Sequence, residues 1–313
     1  MIVKNTHWLG LIVSLRGTAM RTILPRVATT TLAAVVVTYL QWRYHFFGKG
    51  LSALPFSLVG VALGIFLGFR NNTSYDRFWE GRKLWGRLVN ASRSLTRQIL
   101  NLLVIDKDAP HEVQEVHKEL VYRLAGYVHA VRLHLRDDRS TEDLAPFFPA
   151  EELEALAKEH NRPIAILQKL GDRLQECWHA GWVHPYHLSL LENTLTELTT
   201  IQGACERIKS TPIPFSYTVL IHRIVAFYCF GLPFGICQEV GVLTPLVVGM
   251  VSYAFFGLDA IGDEIEQPFG EDSNDLPLGQ LSRMIEVNLR QRLGETPESL
   301  PPLRKPDRHG RLS

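Results

Sequence analysis

The stretch SLVGVALGIFLGFRNN, residues 57–72, combines two features that a hydrophobic helix seldom needs together. A glycine recurs at every fourth position: Gly60, Gly64 and Gly68. A bulky apolar residue follows each glycine: Val61, Ile65 and Phe69. Glycine in a helix interior costs roughly 0.5–1 kcal/mol relative to alanine, so three in register need a structural reason. Because residues at i and i+4 share a face, the stretch predicts a helix with two neighbouring stripes, one small and one bulky.

Each stripe suggests a different role. The glycine stripe forms a flat groove that lets another helix approach closely within a membrane. The bulky stripe either points at an axis shared with other helices or packs in an ordinary core, and spacing alone leaves both open. Continued along the helix, the bulky stripe meets Asn72 or Thr73, then Asp76 and Glu80, which are either charged rings or a solvated face.

The chain of 313 residues has a net charge of +1, which does not suggest nucleic-acid binding. Its mean hydropathy of +0.02 is an average over two kinds of sequence. Charged residues are sparse in 28–69 and 211–258, and they are dense in 70–210 and 259–313. This distribution predicts an all-α integral membrane protein with a large soluble part. Its four cysteines show no metal-ligand spacing and indicate small buried side chains.

Four segments are long and apolar enough to cross a bilayer. We predict spans at about 22–40, 53–69, 215–236 and 240–258. Pro233 and Pro245 predict interruptions in the third and fourth spans. No proline or glycine lies between Arg70 and Glu80, so the second span should continue as one long helix out of the membrane.

Arginine and lysine are concentrated beside one side of these spans, which places both termini and the long middle segment in the cytoplasm. The cytoplasmic helical part is predicted at about 70–210 and 259–293, followed by an extended tail at 294–313. Within it we expect amphipathic helices at 110–136, 151–181 and 187–209 and a polar loop at 137–150. The first 21 residues are predicted to form an interfacial amphipathic helix.

Three stretches resemble the bestrophin family, in particular its bacterial branch: LGFRNNTSYDRFWEGRKLWG (67–86), TPIPFSYT (211–218) and DEIEQPFGEDSNDLPL (263–278). The resemblance implies a homopentameric ion channel of the bacterial inner membrane, whose partners are its own copies, the bilayer and permeant monovalent ions. It assigns Val61, Ile65 and Phe69 to a narrow neck around the shared axis. It also implies a cytosolic restriction at the residue after a helix-opening proline, here Tyr186, although animal members usually have an aliphatic residue there.

The resemblance also raises the question of calcium. Asp272 and Asp275 match acidic ligand positions of the animal Ca²⁺ loop, but Ser273 and Asn274 replace two of its acids. Oxygen-rich loops suit Ca²⁺. The alternative is a helix-capping turn before Leu276, and no cofactor is required.

Apolar rings bind no ion, so selectivity should come from nearby charge. Rings of Asp76 and Glu80 would favour cations, whereas Arg70 and Arg77 lie close enough to offset them. Bacterial members of the family resemble monovalent-cation channels, and we expect a sodium-like preference over chloride.

Two other functions compete with the channel. One is a metal-dependent membrane enzyme using His179, His184 and His187, whose spacing does not match a zinc-binding helix pair. The other is a non-conducting membrane scaffold assembled through the glycine stripe. The sequence has no nucleophile elbow or phosphate loop, so we do not expect an enzyme.

Overall fold

The computed structural model describes residues 17–44, 52–104, 110–304 and 306. The α-helices of these residues are, in chain order, α1 Met20–Tyr44, α2 Ala53–Leu102, α3 Pro110–Leu135, α4 Ala150–Lys158, α5 Arg162–His179, α6 Pro185–Ser210, α7 Phe215–Val240, α8 Thr244–Glu266 and α9 Leu278–Arg292. Two short 3₁₀ turns lie at Glu142–Leu144 and Gly241–Leu243. The described residues form no strand beyond an isolated bridge between Leu103 and Val183. The all-α prediction is confirmed.

The long helix α2 is the central element of the fold. It begins where the Ser52 side chain accepts a hydrogen bond from the Leu54 N–H, at 3.3 Å, and it continues for 50 residues. At 1.5 Å per residue it is about 75 Å long, more than twice the roughly 30 Å of a bilayer's hydrocarbon core. The prediction that the second span continues past Arg70 as one long helix is therefore confirmed.

Within the described part of the chain, three helical segments are long and apolar enough to cross a membrane: Thr22–Tyr44, Ala53–Leu102 and Phe215–Glu266. The last contains two helices, because the chain reverses at the Gly241 turn and α7 and α8 pack on each other. Gly241 has a φ of 61°, a conformation that favours glycine. Both helices also pack on α1 and α2, which makes a four-helix apolar layer.

Neither proline interrupts these helices in mid-span, contrary to the prediction. Pro233 lies inside the continuous α7. Pro245 lies in the first turn of α8, where its missing N–H would have had no helical partner anyway. The interruption between the two helices is the Gly241 turn.

The polar helices pack beside the far half of α2 as a second layer, which we call the helical bundle. Its core contains fully buried Trp85, Leu95, Tyr127 and Leu170. The helix predicted at 151–181 is in fact two helices, α4 and α5. They separate because the Asn161 side chain caps α5, accepting from the Ile164 N–H at 3.4 Å, and Pro163 occupies its first turn.

The loop at 137–150 is not simply polar, as predicted, because it buries two aromatic rings. Phe147 and Phe148 pack against α3 at Gly126, where a Cβ would lie 2.5 Å from the Phe148 ring. The tail starts packed rather than extended, since Glu295 accepts hydrogen bonds from Arg290 and Tyr122. Residues 1–16, most of the predicted interfacial helix, and 307–313 of the tail lie outside the described residues.

Candidate functional site: the uncovered face of the long helix

The bulky stripe of Val61, Ile65 and Phe69 lies on a face of α2 that no other part of the described subunit covers. The three side chains are 66%, 54% and 63% exposed. On the opposite face, Leu63 and Leu67 are buried in a core with α7 and α8. The helix is therefore held from one side and presents three large apolar side chains, one turn apart, on the other.

The three glycines of the stripe differ in how closely another helix of the subunit approaches them. A Cβ at Gly60 would lie 2.5 Å from the Tyr228 hydroxyl of α7, so this glycine permits close helix packing. Gly64 and Gly68 have no described atom within 4 Å of that position. Helix packing at these two positions thus stays a prediction, and it concerns a second subunit.

The residue after the stripe is the centre of an ion-pair cluster. Although Arg70 directly follows the apolar run, its side chain is fully buried. Its Nη1 lies 2.8 Å from Asp259 Oδ1, and its Nη2 pairs with Asp263, both on α8. His222 Nδ1 of α7 lies 2.7 Å from Asp259 Oδ2. The cluster joins α2, α7 and α8 directly behind the stripe.

Arg77 is also directed away from the stripe. Its guanidinium donates to three backbone carbonyls, at Ile208, Thr211 and Glu266. These carbonyls lie at the C-terminal ends of α6 and α8, where helix dipoles favour a cation. The two arginines expected to offset the acidic residues are therefore both engaged elsewhere.

The two acidic residues on the stripe's continuation differ from each other. Asp76 is exposed and makes no ion pair with any described residue of the subunit. Glu80 Oε1 accepts from Arg207 Nη2 at 2.9 Å, so its charge is locally compensated. Further along the same face, Lys83 is exposed.

Tyr186 lies at the other end of α2 from the stripe. It is 80% exposed and follows Pro185 in the first turn of α6, as predicted. Its ring stacks on His184, whose Nδ1 accepts the Tyr186 N–H at 3.3 Å. The Leu103–Val183 bridge ties this turn to the end of α2, which places it about 50 Å along the helix from Phe69.

Comparison with known proteins identifies the family. A family model described as Bacterial/Fungal Bestrophin protein matches residues 1–291. The chain belongs to the bestrophin family. A voltage-dependent anion channel-forming protein of Ralstonia nicotianae is 39% identical over 298 residues, 94% of this chain and 95% of the relative. The protein YneE of Escherichia coli K12, described in the same words, is 34% identical over the whole of both chains.

A solved structure agrees with the sequence comparison. The crystal structure of a bacterial bestrophin homologue from Klebsiella pneumoniae superposes with a TM-score of 0.82 at 35% identity. The superposition covers 88% of this chain and all of the other. The helix order, the long second helix and the helical bundle are thus features of this bestrophin's fold.

The acidic loop of this bestrophin is built as a turn. Asp275 is buried, and its Oδ2 accepts the Asp272 N–H at 2.7 Å. Burial raises the pKa of the Asp275 carboxyl to about 6. The neighbouring Asn274 donates to Glu264 Oε1 at 3.0 Å and to the Gly17 carbonyl at 3.4 Å. These contacts build a turn but not a helix cap, because Pro277 precedes α9 and no side chain caps its first turn. A Ca²⁺ site at Asp272 and Asp275 stays a prediction.

The histidines proposed for a metal enzyme do not form one ligand set. His184 caps α6, and the His179 ring lies tilted against Trp178 at the end of α5. Among the described residues, the one group of three close His, Cys, Asp or Glu ligand atoms is at His222, Asp259 and Asp263. Arg70 already pairs with both of those carboxylates. Sequence reasoning missed this cluster because Arg70 lies 189 residues from Asp259 and His222 lies 37 residues from it.

Proposed function

We propose that this bestrophin is an ion channel in which copies of the chain surround one axis and the apolar stripe forms the neck. The observation that supports this is the uncovered face of α2, where three large apolar side chains are followed by an unpaired carboxylate. Exposed apolar patches of this kind usually mark contact surfaces or ligand paths. Apolar rings raise the cost of ion dehydration and gate by dewetting.

The proposed channel is a homopentamer in the bacterial inner membrane with both termini in the cytoplasm. The number five rests on the family resemblance, and the orientation rests on the distribution of arginine and lysine. Native mass spectrometry of the purified protein measures the number of subunits. Fusion of the C-terminus to a fluorescent protein that folds only in the cytoplasm tests the orientation.

The neck is tested by flux through reconstituted vesicles. Changing Val61, Ile65 and Phe69 together to alanine should increase ion flux, because smaller side chains widen and wet the constriction. The matched control is Phe66→Ala, which is 53% exposed but lies about 100° round the helix from Ile65. Absent flux in well-folded oligomers, before and after the triple change, would favour the non-conducting scaffold instead.

We further propose a preference for monovalent cations, supported by the exposure of Asp76 and the engagement of Arg70 and Arg77 elsewhere. Acidic rings favour cations in channel pores. In a roughly tenfold NaCl gradient, the reversal potential of an ideally selective channel is about 59 mV, with a sign set by the permeant ion. We expect the sign for Na⁺, and Asp76→Asn should move the potential toward zero.

Anion conduction is the second candidate, since the Ralstonia and Escherichia relatives are named as anion channel-forming proteins. Lys83 would supply the charge, as an exposed cation further along the same face. A reversal potential of the chloride sign, weakened by Lys83→Gln and not by Asp76→Asn, would select this candidate.

A further inference from the structure

A basic cleft lies between the far half of α2 and α9, away from the stripe. Its volume is about 500 Å³. Three arginines line it, Arg93 and Arg97 from α2 and Arg292 from α9. The other lining residues are two leucines and three amides: Leu100, Leu289, Asn101, Asn288 and Gln291. None of these described lining residues carries a carboxylate, so we refer to it as the arginine cleft.

The charges of the arginine cleft are not neutralised by the described subunit. Arg93 Nη2 donates to Asn288 Oδ1 at 2.6 Å, which orients this guanidinium toward α9 without cancelling its charge. Arg97 and Arg292 form no ion pair with any residue that the structure describes. Nearby Arg290, on the same helix α9, pairs with Glu286 and Glu295. Arg290 is therefore paired with carboxylates, whereas the arginines of the cleft are not.

Helix-end electrostatics accounts for only part of this arrangement. Arg292 lies in the last turn of α9, where cations interact favourably with the helix dipole. Arg97 lies before the last turn of α2, which contains no basic residue. That effect does not require the cations of two helices to converge on one cleft. Arg93 and Arg97 are four residues apart on one helix face, where like charges repel each other.

We infer that the arginine cleft binds a multivalent phosphate anion, such as pyrophosphate or the phosphate chain of a nucleotide. A guanidinium presents a planar fork that matches two phosphate oxygens, and three such forks suit an anion of several charges. The amides of Asn288 and Gln291 offer further donors. The volume lies within the range of small-molecule sites, about 300–1,000 Å³.

Pyrophosphate binding to the full-length detergent-purified protein, measured by isothermal titration calorimetry at constant ionic strength, tests the inference. We expect saturable binding with one site per subunit. Arg97→Gln should weaken it by about tenfold or more, since hydrogen bonds to charged groups are stronger than neutral ones. Arg97→Gln combined with Arg292→Gln should abolish it. Arg93→Lys, which keeps the charge but loses the fork, should also weaken it.

The matched control is Lys158→Gln, which removes one exposed positive charge at the end of α4, outside the cleft. It should leave the affinity unchanged, and an equal loss there would reduce the effect to general electrostatics and overturn the inference. Absence of saturable binding to folded wild-type protein would also overturn it. A third result would overturn it as well, namely that the wild type binds no pyrophosphate and the arginine variants dissociate the oligomer. The arginines would then pair with carboxylates of a neighbouring subunit. None of these readouts depends on ion conduction, so the result neither supports nor contradicts the proposed channel function.

Discussion

Replacing Arg70 with methionine should destabilise this bestrophin more than any change on the exposed face of α2. The Arg70 side chain is fully buried beside Asp259, whose side chain is 2% exposed. Methionine retains much of the apolar stem but removes the positive charge. Asp259 would then remain buried without its partner at 2.8 Å.

The size of the loss follows from the charges that remain. Removing one partner of a buried ion pair typically costs about 3–5 kcal/mol. His222 at 2.7 Å and Arg26 at 3.8 Å stay beside Asp259 and partly compensate, so we expect the lower end, about 3 kcal/mol. With an unfolding entropy of roughly 2.1 cal/mol/K per residue, a chain of 313 residues should lose roughly 5 °C of melting temperature.

Thermal unfolding in detergent, followed by tryptophan fluorescence, measures this loss. The control is Arg82→Met, an exposed arginine on the same helix, which should leave the melting temperature unchanged. The double variant Arg70→Met with Asp259→Leu should recover part of the stability, because it removes both buried charges. If Arg70→Met behaves like the control, or if the double variant loses the sum of both single effects, the reasoning about an uncompensated buried charge is wrong.

Three further perturbations have defined outcomes. Gly64→Ala and Gly68→Ala should leave the subunit folded, since no described atom of another element lies near either position. If subunits pack there, both changes should reduce the fraction of oligomer seen by native mass spectrometry. Intact oligomers would show that these glycines have no role in assembly. Burial raises the pKa of Asp275, so the native state holds its proton more tightly than the unfolded state does. The stability of the wild type relative to Asp275→Asn should therefore fall as the pH rises from about 4 to about 6. Melting temperatures of the two proteins that change in parallel with pH would contradict this. Burial lowers the pKa of His129, although its hydrogen bond to Glu286 opposes this, so wild-type stability relative to His129→Gln should fall as the pH drops below about 6.5; a difference independent of pH would contradict it.

Local patterns in the sequence predicted the elements whose causes are local. The continuity of α2 followed from the absence of a helix breaker between Arg70 and Glu80, and Pro185 marks the start of α6. The division between α4 and α5 was missed although its signal was present, since Asn161 and Pro163 form a helix start. The amphipathic period on both sides of that start concealed it.

Contacts between distant segments could not be predicted in this way. Arg70 follows an apolar run, so its position in the sequence indicates the membrane boundary, where an arginine normally contacts water or lipid headgroups. Its burial depends on Asp259 and Asp263, which arrive on α8 some 189 residues later. The engagement of Arg77 with the ends of α6 and α8 has the same origin. The electrostatics of the candidate pore therefore required the structure.

The continuity of α2 links the two restrictions that the family resemblance assigns. The stripe lies near one end of the helix, and the turn that holds Tyr186 is bonded to the other end, where the Val104 N–H donates to the Trp182 carbonyl at 3.1 Å. No break in α2 between them can absorb a change of angle. Loosening the Arg70 cluster should therefore tilt α2 as a rod and displace Tyr186 as well as the stripe. A hinge within α2, detected as motion of the stripe alone by distance measurements between labelled positions, would refute this coupling.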